Sequence, residues 1–489
     1  MKKYKPIFKF ICKYCLMAVL ILIFFANCKK LIEVDAPVTN TNATVVYSTD
    51  ALAAAVLTGI YTNLSTSNIP SGGLTSMSFF PGLSSDELTL YPGSTTSAYV
   101  GLYTNQLNSS TLGTMDFWIK TYPTIFVANS AIEGLSGATA LTPAVKQQLM
   151  GEAMFARAFC YFYLVNLYGD VPLAIGTDYT ANSLLSKTPK AKIYQQIIAD
   201  LKDAETLLST NYLKADVLTV TTERVRPTKW AAAALLSRVY LFKGAYDSAE
   251  AQSTQVINNS QLYSLTRLDS VFYKNSNEAI WQLQPVGTGT SSNTGEGRLF
   301  ILPATGPNTS NYPVYLSNFM VNSFETGDLR KVKWTGSVTV SVSGMPTTYY
   351  YPYKYKIGAV NSPMSEYSMV LRLGEQFLIR AEARAQQGNL TGAEADLNAI
   401  RNRAGLANTT ATAKSDLMNA ILHERQVELF TEWGHRWLDL KRTNTVDAIM
   451  GTVTPQKGGS WNTNWQWYPL SLYELQHDPN LAQNTGYVN

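Results

Sequence analysis

The side chains that most often carry enzyme chemistry are scarce in this chain of 489 residues. Its only histidines are His423, His435 and His477. The pair His423-Glu424 begins like the helix of a zinc protease, in which a second histidine four residues after the first also binds the metal. That position is occupied by Val427, so the motif fails. The sequence therefore predicts neither a metal site nor a cofactor.

Other catalytic signatures are missing or weak. Neither the Gly-x-Ser-x-Gly elbow of α/β-hydrolases nor the phosphate-binding Gly-x-x-x-x-Gly-Lys occurs. Gly287-Thr-Gly289 follows a predicted strand, but Ser292 stands where the third glycine of a dinucleotide site belongs, which favours a loop. The adjacent acids Asp86-Glu87 lie near aromatic residues. Because glycoside hydrolases use two carboxylates, this pair keeps glycoside hydrolysis as an alternative function.

The densest group of charged residues falls between positions 424 and 442. Acidic and basic side chains alternate there at helical spacing: Glu424, Arg425, Glu428, Glu432, His435, Arg436, Asp439 and Arg442. Opposite charges three or four residues apart on a helix attract each other. We therefore predict ion pairs that hold helices together, and no reactive centre.

Apolar spacing predicts the helices that must position any site. Thr142 and Pro143 are typical of a helix start and Gly169 of its end, and apolar residues recur between them at steps of three and four. The same spacing covers 118–132, where Pro123 should kink or restart the helix.

Two later segments look like one helix-turn-helix unit used twice. Residues 235–249 align with 379–393 when Gly244 is set on Gly388, which places both glycines in the turn. Paired helices of this kind are tetratricopeptide-like, although the copies do not follow a regular 34-residue period. The predicted fold is mainly α, a tetratricopeptide-like α-α superhelix wrapped around insertions.

The predicted scaffold covers about 113–260 and 366–442, and the insertions cover about 65–112 and 285–365. The insertions are rich in Ser, Thr, Gly, Asn, Pro and Tyr, which is typical of long ordered loops with short strands. Alternating valines and then alternating tyrosines over 338–355 predict a hairpin with one aromatic face, best explained by core packing.

The amino terminus resembles a bacterial lipoprotein signal. Lysines precede an apolar run over 14–26, which is shorter than the ~20 residues that span a bilayer. We predict a signal peptide over 1–27 and lipidation of Cys28, although Asn27 is not the usual small residue before such a cysteine. A conventional cleaved signal and an uncleaved anchor are the alternatives. Beyond the signal, acidic and basic residues nearly balance, which excludes the basic surface of a nucleic-acid-binding protein.

Four further segments resemble the SusD/RagB family of nutrient-binding outer-membrane lipoproteins. The charge cluster lies in ERQVELFTEWGHRWLDLKR (424–442), which is similar to the family's most distinctive helix. Residues 152–172 resemble its long helix and the turn that follows, and Asp328-Leu-Arg330 resembles its Asp-x-Arg element. With the tail over 468–487, the resemblance covers essentially all of the mature chain.

The resemblance implies a lipid-anchored protein on the outer face of the outer membrane of a Gram-negative bacterium. It implies a non-enzymatic protein that binds oligosaccharide, or less often peptide, as the lid of a TonB-dependent, SusC-like receptor. No cofactor and no nucleic-acid partner is implied. A secreted glycoside hydrolase and a helical-repeat adaptor that binds only protein are the competing hypotheses.

Binding a glycan without cleaving it requires flat apolar faces for the C–H sides of sugar rings, and amides or hydroxyls for their OH groups. Family members make this contact with aromatic residues in poorly aligned loops, so our choice rests on the composition of 65–112 and 285–336. The predicted ligand contacts are six rings and two amides: Tyr91, Tyr99, Tyr103, Tyr312, Tyr315 and Trp334, with Asn105 and Asn311. Burial in the core is the competing role for Tyr and Trp.

Overall fold

The computed structural model describes residues 43–66, 73–286 and 293–487; Cys28, the signal peptide and Gly287-Thr-Gly289 lie outside them. No helix within these ranges is long and apolar enough to cross a membrane. The α-helices, in chain order, are α1 (Ala43–Val46), α2 (Asp50–Thr66), α3 (Phe80–Ser84), α4 (Ser97–Tyr103), α5 (Phe117–Gly137), α6 (Pro143–Tyr168), α7 (Tyr179–Asn182), α8 (Lys190–Leu207), α9 (Lys229–Lys243), α10 (Tyr246–Ile257), α11 (Gly295–Phe300), α12 (Asn318–Val321), α13 (Leu329–Lys333), α14 (Leu373–Gln386), α15 (Leu390–Arg403), α16 (Lys414–Leu429), α17 (His435–Arg442), α18 (Val446–Gln456) and α19 (Leu472–His477).

The long helices pack one on the next in a continuous series. Helix α5 packs on α6, α6 on α8, α8 on α9, α9 on α10, and α10 on α14, which contacts both α15 and α16. Helices α9 and α10 meet at Gly244, and α14 and α15 meet at Gly388. These glycines have φ values of 73° and 87°, a left-handed conformation that glycine adopts without steric cost. The predicted superhelix of paired helices is confirmed.

The predicted helix bounded by Pro143 and Gly169 is confirmed as α6, which is buried on every side over its second half. Cys160 in this half is fully buried, and burial raises the pKa of its thiol to about 12, so it packs as a small apolar side chain. Helix α5 runs through Pro123 without restarting.

Three antiparallel pairs of strands lie in or beside the insertions. Strand β1 (Leu88–Leu90) pairs with β3 (Val314–Leu316), β2 (Ala279–Leu283) with β6 (Ser368–Arg372), and β4 (Thr335–Val342) with β5 (Met345–Pro352). The predicted hairpin is β4–β5, and its turn is Ser343-Gly344. Both turn residues have positive φ, as a tight hairpin turn requires. The insertions also contain short helices that the sequence did not predict.

The charge cluster forms the predicted ion pairs, but most partners come from distant elements. Glu428 on α16 accepts hydrogen bonds from Arg372 at 2.6 Å, from Arg330 at 3.0 Å and from Arg403. Arg425 pairs with Asp439 at 2.7 Å. These groups are buried, so they need one another to offset the loss of water. Arg330 joins the cluster to the second insertion, and a further pair, Arg436 with Asp86 at 2.7 Å, joins it to the first.

Candidate ligand-binding site

A cavity of about 630 Å³ opens where both insertions meet the scaffold. Its polar and aromatic lining comes from three parts of the chain. The first insertion supplies Asp86, Thr89 and Tyr103, the second supplies Tyr315, Ser317, Asn318, Phe319, Asn322 and Ser323, and the region of α16 and α18 supplies His423, Gln426, Gln456 and Lys457. Its size is typical of a small-molecule site, which ranges over roughly 300–1,000 Å³.

The β1–β3 pair explains how two of these side chains reach the cavity. In each strand the outer residues are buried and the middle one is half-buried. The middle residues, Thr89 and Tyr315, are direct partners across the pair and so lie on one face. Tyr103 on α4 completes this wall. Ser317 then starts α12 by accepting a hydrogen bond from the Met320 amide at 3.0 Å.

Tyrosine rings from both insertions meet beside the cavity. The rings of Tyr315 and Tyr349 contact edge to face at 4.9 Å between centroids, and Tyr349 contacts Tyr91 at 6.2 Å. Burial and the neighbouring hydroxyls of Tyr103, Tyr349 and Tyr91 raise the pKa of Tyr315 to about 12. Its hydroxyl therefore stays protonated at neutral pH and can donate a hydrogen bond. Phe319 adds an apolar surface that is 37% exposed.

Side-chain amides face the same space. Asn318, Asn322 and Gln426 line the cavity, and none of their side chains hydrogen-bonds to any part of the chain that the structure describes. Each amide offers donors and an acceptor. The cavity thus combines aromatic rings with unused hydrogen-bonding groups.

The charged groups at the cavity floor are already engaged by protein. The Asp86 carboxylate accepts two hydrogen bonds from Arg436, at 2.9 and 2.7 Å. The Lys457 ammonium donates to the carbonyl oxygens of Leu83, at 2.7 Å, and Ser85, and lies 5.0 Å from the Tyr103 ring centre. Burial lowers the pKa of Lys457 to about 7, against the pull of the neighbouring acids.

Glu87 lies behind this floor and does not line the cavity. It is buried and accepts a hydrogen bond from the Thr431 amide at 3.1 Å. Burial, with a smaller contribution from Asp86, raises the pKa of Glu87 to about 8. Within the described ranges, no group of three or more His, Cys, Asp or Glu side chains is placed to hold a metal ion.

The structure brings three of the predicted ligand contacts together. Tyr103 and Tyr315 line the cavity. Tyr91 does not line it, but its ring contacts Tyr349, which in turn contacts Tyr315. Asn311 is exposed and Tyr312 half-buried, but neither lines the cavity. Their backbone amides donate to the Asn308 side chain, which fixes the turn before β3.

Three predicted contacts are corrected because they lie in the interior. Trp334 is fully buried, and its indole N–H donates to the Leu268 carbonyl at 2.7 Å. Tyr99 is 6% exposed and packs against Phe79. The Asn105 amide donates to the Ser84 carbonyl and the Thr454 hydroxyl, both at 3.1 Å. None of the three presents a free face to a ligand.

Sequence reasoning missed the contribution of the scaffold to this cavity. His423 and Gln426 sit on the outer side of α16, whose other side carries the buried ion pairs. Such polar positions look like ordinary solvent-exposed residues in a sequence. One signal for this cavity is present in the sequence. Two amides, Asn318 and Asn322, lie close to the aromatic ring of Phe319.

Two family models match the chain. Residues 75–241 match the family described as "Starch-binding associating with outer membrane", and residues 320–487 match the "SusD family". This chain belongs to the SusD/RagB family. The resemblance found in its helices is thereby confirmed.

Relatives and solved structures agree with this membership. A SusD-like protein of Formosa agariphila is 28% identical over 418 residues, which cover 76% of this SusD/RagB chain and 80% of the relative. The structure of a SusD superfamily protein from Bacteroides vulgatus matches with a TM-score of 0.77 at 19% identity, covering 90% of this chain and 100% of that one. A solved laminarin-binding SusD-like protein matches with a TM-score of 0.71 at 22% identity, covering 89% of this chain and 99% of that one. These structures share the fold.

Proposed function

We propose that this SusD/RagB protein binds oligosaccharide in the cavity by contact alone. The observation that carries the proposal is the combination of Tyr103 and Tyr315 with the unpaired amides of Asn322 and Gln426 around one space. Rings suit the C–H faces of sugars, and amides suit their hydroxyls. A family described by starch binding and a structural relative that binds laminarin support a glycan over a peptide.

The proposal includes no bond cleavage. A glycosidase needs one carboxylate as acid and a second as base or nucleophile, both facing the substrate. Here Asp86 is held by two hydrogen bonds from Arg436, and Glu87 lies behind the cavity wall. Neither acid is free for that chemistry.

We further propose that the protein is anchored in a membrane and binds a receptor there. Lipidation of Cys28 would tether the protein to the outer face of the outer membrane, where it would close a TonB-dependent, SusC-like receptor as a lid. One acyl chain binds membranes only weakly. Several chains, or the receptor itself, would then hold the protein in place.

Affinity electrophoresis tests the binding proposal. The mature protein is run through gels containing starch, laminarin, xylan, galactomannan or polygalacturonic acid, and reducing sugar is measured in parallel. We expect retardation by at least one polysaccharide, weaker retardation of the Asn322→Ala/Gln426→Ala variant, and no release of sugar. Free mobility in every gel would contradict the proposal, as would sugar release that depends on Asp86.

Membrane fractionation tests the location. The full chain should sediment with the outer membrane and co-purify with a barrel protein, whereas Cys28→Ala should appear in the soluble fraction. Equal membrane association of both proteins would rule out an anchor at Cys28.

A further inference from the structure

A second cavity adjoins the candidate site across one side chain. It has a volume of about 700 Å³ and lies between α16 and the loop that joins it to α15. His423 on α16 lines both cavities. The two cavities therefore meet at the His423 side chain.

His423, the side chain that both cavities share, is paired with Glu325 in the wall of the second cavity. His423 Nε2 lies 3.9 Å from Glu325 Oε1, and the two side chains are 37% and 40% exposed. Arg401 holds Glu325 with hydrogen bonds of 2.6 and 3.0 Å. Burial and nearby arginines lower the pKa of His423, so its ring is neutral at neutral pH. A neutral imidazole has one donor and one acceptor, which suits the hydroxyls of a sugar.

The walls of the second cavity differ from those of the first. They contain no aromatic ring other than His423, and they carry the polar side chains of Asn408, Thr410 and Asn419. Within the described ranges, these three side chains form no hydrogen bond, and all three residues are exposed. This surface offers hydrogen bonds to a hydroxyl-rich ligand but no platform for stacking.

Charge in the second cavity favours an uncharged ligand. Arg401 and Glu325 neutralise each other. Asp416 in the wall has no basic partner among the residues that the structure describes. Its carboxylate would repel a sugar acid or a sulfated sugar.

We propose that the two cavities bind consecutive parts of one neutral polysaccharide chain, which crosses His423 between them. Sugar rings stack on Tyr103 and Tyr315 in the first cavity and form hydrogen bonds with Asn408 and Asn419 in the second. This inference rests on the proposed function and deepens it by naming the ligand class, an uncharged polymer longer than the first cavity.

Calorimetry with oligosaccharides of increasing length tests the inference. The probes are size-separated fragments of whichever of starch, laminarin, xylan or galactomannan retards the mature protein most. We expect the affinity of the natural protein to rise in two stages as the chain lengthens. Asn408→Ala/Asn419→Ala should abolish the second rise, with about tenfold weaker binding of long fragments and unchanged binding of short ones. Asn402→Ala, an exposed amide on α15 that lines neither cavity, is the matched control.

Different results would overturn the two-cavity inference and the proposed glycan binding. If short fragments reach full affinity and the double variant equals the natural protein on long ones, the inference is overturned while glycan binding in the first cavity stands. Stronger retardation by polygalacturonic acid than by any neutral polymer also overturns it. If no polysaccharide is retained, the proposed function fails and the inference fails with it.

Discussion

Tyr315 and Tyr349 lie on different elements of the second insertion, yet their rings meet edge to face at 4.9 Å between centroids. Tyr315 belongs to β3, which carries the cavity wall, and Tyr349 belongs to the β4–β5 hairpin. Tyr349 is 8% exposed and does not line the cavity. The hairpin therefore supports the cavity-lining ring of Tyr315.

This relationship predicts an indirect effect of the hairpin on binding. Tyr349→Ala should weaken oligosaccharide binding about three- to tenfold, because an aromatic pair contributes about 0.5–1.5 kcal/mol beyond its buried area. Tyr350→Ala is the matched control, since Tyr350 is the next residue of the same strand and its side chain is 39% exposed. Calorimetry on the retained polysaccharide measures both. Equal affinities for the two variants would show that the hairpin does not position Tyr315.

Trp334 is expected to act on stability alone. Trp334→Ala removes a fully buried ring that packs against Phe272 and Lys354, and should cost about 3–5 kcal/mol of unfolding free energy. Val332→Ala, at a side chain that is 73% exposed, should change stability by less than about 0.5 kcal/mol. Thermal unfolding compares the two variants. A Trp334→Ala protein with normal stability and weakened glycan binding would restore this residue as a ligand contact.

The buried ion pairs predict that two arginine substitutions will differ strongly in their cost to the free energy of unfolding. Arg372 contacts Glu278 at 3.0 Å, Glu428 at 2.6 Å and Glu432 at 2.7 Å, so Arg372→Ala leaves buried acids without their partner. We expect a loss of about 3–5 kcal/mol. Arg267→Ala breaks a pair with Asp269 in which the arginine side chain is 84% exposed, and should cost at most about 1 kcal/mol. Similar unfolding temperatures for the two variants would contradict the structural role of the cluster.

Glu87 predicts how stability changes with pH. Its pKa is raised from 4.5 to about 8, so the folded protein binds a proton there that the unfolded chain releases over this range. Ionisation of Glu87 therefore lowers stability as the pH rises from about 4.5 to 8. Glu87→Gln should remove this loss, and its unfolding temperature relative to the natural protein should be higher at pH 8.5 than at pH 5. Glu394→Gln, at a half-buried acid on α15, is the control. A difference that does not change with pH would contradict the raised pKa.

Much of the fold follows from local sequence signals. The apolar spacing between Pro143 and Gly169 predicts α6, because the residues on the buried face of a helix recur at steps of three and four along the chain. The hairpin is similarly visible in the sequence, since Gly344 indicates a turn and the flanking residues alternate. The repeated glycine turn at Gly244 and Gly388 identifies the helix pairs.

The candidate site is less visible because contacts between distant segments create it. Composition selected Tyr103 and Tyr315, which line the cavity, and it equally selected Trp334, which is fully buried. His423 and Gln426 were missed because nothing in their own helix shows which insertion packs beside it. Burial of a loop aromatic depends on tertiary packing, which spacing along the chain does not encode.

The proposed sugar binding depends most on Tyr315, whose half-buried ring lines the cavity. The most direct test is calorimetry of Tyr315→Ala and Tyr312→Ala on the polysaccharide that the natural protein retains, with unfolding temperatures measured for each. Tyr312 is the same residue type three positions earlier in the chain, and it does not line the cavity. We expect at least about tenfold weaker binding for Tyr315→Ala and unchanged binding for Tyr312→Ala. Full affinity of a folded Tyr315→Ala protein would contradict this prediction.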